Sequence, residues 1–424
     1  MLQTILIFLI IFSILVIIHE FGHFYFAKKA GILVREFAIG MGPKVFSTRK
    51  NGTTYTVRLL PLGGYVRMAG YGDDETELRA GMLVKILVDE NEMITNIDLS
   101  DKDQLEGIPM ELVAYDLDEA MYLEGNIAGR TGLVRYYVDR EALITEADGT
   151  QVQVAPLDVQ FQSAPLGKRM MTNFAGPMNN FILGVIIFTI LAFVQGGVSV
   201  NDSVLGEIEQ GGPAQAAGLS KGDEILAIEG EKVGSWSELI TIIQQNPEKN
   251  LTFTVQSEDQ ESSEDMTVTP RKVVSEEGVE YGQIGVYQAF DSSLKGKLMA
   301  AFIQTWTIIT SIFGLVLSMF TRGFDINAFG GPLAIYAATE EVASYGFMSI
   351  ISFLGYLSVN LGTVNLFPIP ALDGGKLILN LIEGIRGKPL EPEKEGIITV
   401  VGVVLLLILM VLITWNDIQR FFLG

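Results

Sequence analysis

Cysteine is absent from this 424-residue chain, and histidine occurs only twice. Without cysteine there is no disulfide framework, no thiolate nucleophile and no metal site built on sulfur. Basic residues are also scarce, 29 Lys and Arg against 50 Asp and Glu, for a net charge of -21. A chain whose water-facing segments are acidic is repelled by phosphate, which excludes nucleic-acid binding. Charge is missing altogether from residues 2–18, 181–194 and 397–414. Read with their flanks, such stretches are long enough to cross a ~30 Å hydrocarbon core at about 1.5 Å per residue. With 49% hydrophobic and 19% charged residues, the composition predicts an integral membrane protein. The first stretch lacks a basic start and a small-residue cleavage site, and Lys28 and Lys29 follow it. It therefore reads as a retained helix and not as a signal peptide.

The acidity is concentrated in two places. Residues 73–160 carry a net charge of -15, residues 201–297 a net of -11, and everything else a net of +5. Two acidic, water-facing modules thus interrupt a mildly basic membrane body. The first helix ends near Phe26 and is followed by Lys28, Lys29, Arg35, Lys44, Arg49 and Lys50, a loop that the positive-inside rule places in the cytoplasm. The N-terminus is then outside. Residues 37–69 alternate apolar and polar with glycine breaks, predicting short strands and turns near the membrane surface. Residues 73–160 read as a small β-rich or mixed module, with turn signals at Glu124-Gly125 and Asp148-Gly149. Lys168 and Arg169 precede a second span at roughly 172–195.

Both histidines fall in one motif, HEFGH at 19–23. Residues four apart on a helix share a face, so His19 and His23 can bind one zinc ion, with Glu20 beside them as general base toward water. Three ionisable groups inside an apolar helix are costly, and that favours function over a structural polar cluster. A catalytic zinc usually takes three protein ligands. No third histidine exists, so the third ligand must be a carboxylate. Asp373, in NLFPIPALDGG at 365–375, sits in a proline-broken turn at the end of an apolar segment. Broken backbone at membrane depth is tolerated where it lines a cavity. Glu340 and Glu341, the other candidates, lie in a polar connection and read as a solvated helix end.

Depth then restricts topology. The histidines lie toward the inner end of a helix that runs inward, and Asp373 must meet them there, so 344–372 also runs inward. The segment 298–320 therefore cannot cross if the exterior module ends near 296, and it is expected to lie in the outer interface. Four spans with both termini outside result, against five from hydropathy alone.

Residues 203–288 contain GGPA at 211–214, AGL at 217–219, GDEILAIEG at 222–230, Val233 and Trp236. EILAIEG reads as a strand, Gly222-Asp223 as a turn and SELITIIQQ as an amphipathic helix. This segment resembles a PDZ domain, a module that adds an extended peptide to a sheet edge. The whole constellation resembles the site-2 protease family of intramembrane zinc metalloproteases, above all the bacterial regulators of anti-sigma-factor cleavage with a single PDZ domain. HEFGH, EFAIGMGP at 36–43, PLGGYVRM at 61–68, AGPMNNF at 175–181, GGPLAI at 330–335 and NLFPIPALDGG carry the resemblance, which covers most of the chain.

The resemblance implies a polytopic α-helical membrane protein of about four spans. Residues 1–26 would form the first span, 27–72 a re-entrant β-loop and 73–165 an acidic β-rich cytoplasmic insert. Residues 172–196 would be the second span, 199–290 an extracytoplasmic PDZ domain, 297–343 an interfacial helix and connection, 344–380 the third span and 397–416 the fourth. It makes His19, His23 and Asp373 zinc ligands and Glu20 the catalytic base. Asn365 and the β-loop residues Gly63, Gly64 and Tyr65 would hold the unwound substrate, with Gly176, Pro177 and Asn180 in support. The implied activity is regulated intramembrane proteolysis in the cell membrane. Its substrates would be pre-cleaved single-span proteins such as anti-sigma factors, or remnant signal peptides, and the PDZ domain would take a peptide ligand. A general signal-peptide-degrading peptidase is an alternative with the same chemistry, and a non-catalytic PDZ scaffold one of another class. The insert at 73–160 is longer than in the shortest members and has no assigned role.

Overall fold

A computed structural model describes residues 2–70, 78–100, 107–199, 202–257, 262–275 and 278–423. Residues 73–77 and 101–106 of the acidic insert lie outside the described residues. The chain falls into two units, residues 1–187 with 305–424, and residues 188–304.

In the first unit, helix α1 (Leu2–Ala30) runs four residues beyond the expected end at Phe26. The strands after it are not short. β1 (Val34–Lys50) and β2 (Thr53–Met68) are 17 and 16 residues long and meet at Asn51-Gly52, both at positive φ, the geometry a two-residue hairpin turn needs. Both strands bend, so each serves two neighbours. Residues 36–39 pair with 54–57 on one side and with 64–67 on the other. Gly40 and Gly42 make the bend at φ +87° and +83°, and a Cβ on Gly40 would stand 2.6 Å from the Leu60 carbonyl oxygen. The product is a four-stranded patch cut from two strands. One face packs on α1 through Phe24, Phe37 and Tyr55, whose ring centroids lie 5.4–6.2 Å apart.

The described part of the acidic insert is mainly β, with two short 3-10 turns at Leu157–Val159 and Phe161–Ser163. Strands β3 (Leu83–Val88), β4 (Ile94–Asp98), β5 (Ile108–Asp116), β6 (Tyr122–Ile127), β7 (Val134–Thr145) and β8 (Gln151–Gln153) stand in the order β4-β3-β5-β6-β7-β8. β4 also pairs in parallel with β7, which closes five strands into a small barrel around Ile86, Ile97, Met110, Leu112, Leu123 and Ile144. The turn expected at Glu124-Gly125 is instead inside β6. Gly125 is there because a Cβ would stand 2.3 Å from the Glu111 carbonyl oxygen of the neighbouring strand. Asp148-Gly149 does form a turn, between β7 and β8, with Gly149 at φ +82°.

Helix α2 (Leu166–Val194) begins before the expected 172 and takes Lys168 and Arg169 into its first turn. In the second unit, β9 (Val198–Ser199) pairs with the late strand Phe290–Asp291, and β10 (Leu205–Ile208) with Val286–Gln288. Between them lie helices α3 (Pro213–Ala216) and α4 (Trp236–Gln245) and a four-stranded sheet in which one of the two inner strands, Glu224–Ile228, is the expected EILAI segment. Ser235 caps α4 by accepting from the Glu238 amide.

The last part of the chain holds α5 (Leu294–Arg322), α6 (Pro332–Ser344), α7 (Phe347–Asn365), α8 (Asp373–Arg386) and α9 (Pro392–Ile418). Among the described residues, α1, α2, α5, α7 and a segment from Glu393 to Phe421 are long and apolar enough to cross a membrane, five helices in all. This is one more than the four expected from the sequence, and α5 is the difference. Residues 344–380 form no single span, because the chain breaks at 366–372 between α7 and α8.

Candidate metal centre

Helix α1 presents His19 and His23 one turn apart, both buried. Helix α2 meets them antiparallel with Thr172, Gly176 and Asn180, again spaced by four. The His23 Nδ1 proton is donated to the Thr172 carbonyl oxygen at 2.8 Å. The Asn180 side-chain amide lies 3.2 Å from His19 Nδ1, and its Oδ1 has no other partner. Half a turn of that amide gives His19 Nδ1–H the same kind of acceptor. Between the two pairs sits Gly176, where a Cβ would stand 2.3 Å from His23 Nε2 and 2.8 Å from His19 Cε1. On the facing helix a Cβ on Gly22 would stand 2.2 Å from the Ala175 carbonyl oxygen. Two glycines thus let the backbones meet. Pro177 follows inside the helix, and its carbonyl oxygen would stand 2.9 Å from a Cβ on Gly362, so α7 closes in by the same device.

Asp373 enters from the break after α7. Ala371 holds φ +77°, a strained region for a residue with a Cβ, and the chain reverses there so that Asp373 opens α8. Gly374 and Gly375 are required because a Cβ on either would stand 2.3 Å from the carbonyl oxygens of Leu366 and Ile369. Ten residues on, Glu383 pairs with both terminal nitrogens of Arg169 in α2, which fixes the far end of α8.

The three side chains converge. Asp373 Oδ2 lies 3.2 Å from His19 Nε2 and 3.3 Å from His23 Nε2, and the two Nε2 atoms are 3.3 Å apart. Ligand atoms about 2.0–2.1 Å from a tetrahedral zinc stand about 3.3 Å from one another. With the Nδ1 of His23 donating outward, and that of His19 doing the same once the Asn180 amide is turned, both Nε2 atoms carry lone pairs, and Asp373 Oδ2 is buried without a hydrogen-bond donor. Three lone pairs aimed at one point fit a cation and little else. Among the described residues these three are also the one histidine–carboxylate group whose ligand atoms gather within 4.8 Å.

Glu20 is half-buried beside His19, and its carboxylate makes no hydrogen bond or ion pair among the described residues. Asn365 closes α7 and donates its amide to the Leu361 carbonyl oxygen at 3.1 Å. Gly63 stands at φ +85°, and a Cβ on Gly64 would meet the Ala38 carbonyl oxygen at 2.7 Å and Val16 at 3.3 Å, one turn from His19. The Tyr65 hydroxyl turns inward and donates to Glu36 at 2.8 Å. Glu340 and Glu341 are exposed on α6. Thr172 escaped the sequence reading, since a backbone carbonyl has no residue signature. Its place in the four-residue series 172, 176, 180 opposite HEFGH was the available signal.

Gly176→Ala is expected to lower zinc affinity by about 100-fold, because the added methyl displaces both imidazoles. Metal analysis of the purified variant across buffered zinc concentrations checks this.

The model of peptidase family M50 matches residues 7–409. A protein named "Probable protease eep" from Enterococcus faecalis is 51% identical over 99% of this chain and its own full length. A relative from Lactococcus lactis whose given name includes "zinc metalloprotease" is 46% identical over the whole of both chains. Among solved structures, the PDZ domains of SdrC-like proteins from Listeria monocytogenes and Listeria innocua match at 20% and 21% identity with TM-scores of 0.18. They cover 22% and 21% of this chain, and 90% and 93% of their own. The full-length match in sequence and the HEFGH helix agree: this chain belongs to peptidase family M50 and is a multi-pass membrane zinc metalloprotease of the site-2 type.

Proposed function

We propose that the enzyme performs regulated intramembrane proteolysis, cutting membrane segments of single-span proteins whose outer domain has already been removed, or remnant signal peptides. The observation that carries this reading is the meeting of Asp373 at 3.2–3.3 Å with His19 and His23, which stand on a helix long and apolar enough to cross a bilayer. These three side chains would hold a zinc ion, which when bound would supply Lewis-acid polarisation of a peptide carbonyl and a more acidic water. Glu20 takes the proton from the attacking water and delivers it to the leaving amine nitrogen. Thr172 and Asn180 hold the two imidazoles in the tautomer that points Nε2 inward.

A membrane helix hides its carbonyls in its own hydrogen bonds, so the substrate must be extended first. In this reading it pairs with the strand segment 64–68, which lies beside α1 near Val16, and meets Asn365 at the end of α7. The module at 199–290 limits entry to segments that have lost their outer domain. The basic residues Lys28, Lys29, Lys44, Arg49 and Lys50 support a cytoplasmic position for the hairpin and barrel in this reading. With α5 in the outer interface, both termini are then extracytoplasmic.

Proteoliposomes containing the full enzyme, offered one single-span protein with and without its outer domain, test the reading. The truncated form is expected to be cut at least about tenfold faster, a ratio set by entry and not by chemistry. Equal rates on both forms would remove the regulated step and leave a general peptidase.

A further inference from the structure

Strand β2 carries two arginines on one face, and a single turn of the barrel carries the acids that meet them. Arg67 lies 2.5 Å from Glu146, with both side chains about nine-tenths buried. Arg58 donates to Glu36 at 2.8 Å and approaches Asp148 at 3.6 Å. Glu146 and Asp148 belong to the turn between β7 and β8, which is tied internally by the Thr150 amide donating to Asp148 and the Gly149 amide to the Glu146 carbonyl oxygen. Burial pushes the Asp148 carboxyl up. The Thr150 hydrogen bonds and the charges of Lys44 and Arg58 outweigh this and hold it below the usual carboxylate range.

The contact extends across the hairpin. Lys44 donates to Thr150 Oγ1, Thr54 to the Gln151 carbonyl oxygen and Arg49 to Gln153 Oε1. Inside the patch, Glu36 has no exposed surface. Its carboxylate accepts from Thr56 and Arg58 on one neighbouring segment and from Tyr65 on the other. The segment 64–68 is thereby joined through Glu36 and Arg67 to the barrel, while the opposite face of the patch rests on α1. A spacer needs no such register of buried charge.

We propose that the acidic barrel is a brace for the strand that takes the substrate, with Glu146 and Asp148 as positioning residues that act through Arg67 and Arg58. They touch neither substrate nor metal. This rests on the reading above, in which 64–68 pairs with the unwound substrate.

The test uses the full chain in proteoliposomes with a single-span substrate. In the double variant Glu146→Gln, Asp148→Asn, KM is expected to rise about tenfold while kcat stays within about twofold, the signature of lost substrate positioning, and zinc content is unchanged. The exchanged pair Arg67→Glu, Glu146→Arg restores KM toward the wild-type value. A second readout uses the absence of native cysteine. In a Glu20→Gln background, Val66→Cys is the one thiol of the enzyme, and its rate of disulfide formation with a single-cysteine substrate falls with the KM change. Unchanged KM and cross-linking in the double variant overturn the brace, as does a loss of zinc or of kcat in step with KM. No cross-link with the barrel intact overturns the strand reading itself, and the brace with it. If the double variant fails to accumulate, the exchanged pair decides: a KM near wild type supports the brace, and a high KM overturns it.

Discussion

Replacing Glu20 by glutamine is expected to leave zinc at one equivalent per chain and to lower cleavage by about 10³-fold or more, a barrier change of about 4 kcal/mol. Glutamine keeps the size and shape of the side chain, and among the described residues Glu20 makes no hydrogen bond or ion pair whose loss would unsettle α1. The variant therefore removes a proton acceptor and little else. Single-turnover cleavage of a truncated single-span substrate, with metal analysis of the same preparation, measures both quantities. A variant that still cuts at near wild-type rate places the base elsewhere, and one that loses zinc makes Glu20 a structural partner of the histidines.

Asp373→Ala gives the complementary result. One of three converging ligand atoms is lost, so zinc occupancy is expected to fall below about a tenth where the wild type is saturated, with cleavage at background. Asp373→Asn separates charge from geometry, since it preserves the N-terminal turn of α8 while weakening the ligand. The same metal analysis reads the pair. Full zinc in Asp373→Ala would mean that the two histidines find a third ligand outside these three.

The metal centre was legible because its chemistry is expensive in its surroundings. His19, Glu20 and His23 interrupt an otherwise apolar helix, and Asp373 stands in a turn rich in proline and glycine. What holds them was less visible. The Thr172 carbonyl is backbone, and the closeness of α1 and α2 follows from two glycines whose contacts each lie 153 residues away along the chain, at Ala175 from Gly22 and at His23 from Gly176. In the hairpin, alternation identified strands but gave short ones. Bends at Gly40 and Gly42 let one strand serve two neighbours, and local periodicity does not record that. The barrel follows the same rule. Its strands alternate, yet its closure rests on the parallel pairing of β4 with β7 across more than 40 residues, a long-range choice that no window of sequence carries. The acid at 124 beside a glycine looked like a turn because it shares the composition of one, whereas Gly125 is there for lack of room.

The ligand set is divided between the two ends of the chain, two donors at 19 and 23 and the third at 373. A growing polypeptide therefore enters the bilayer with an incomplete catalytic centre. Its first helix, hairpin and barrel can fold while the nascent enzyme is inert, and competence arrives only when the turn before α8 swings Asp373 against the histidines. Synthesis itself withholds the third ligand until residue 373 has been made, so a product that stops short of it lacks the full ligand set.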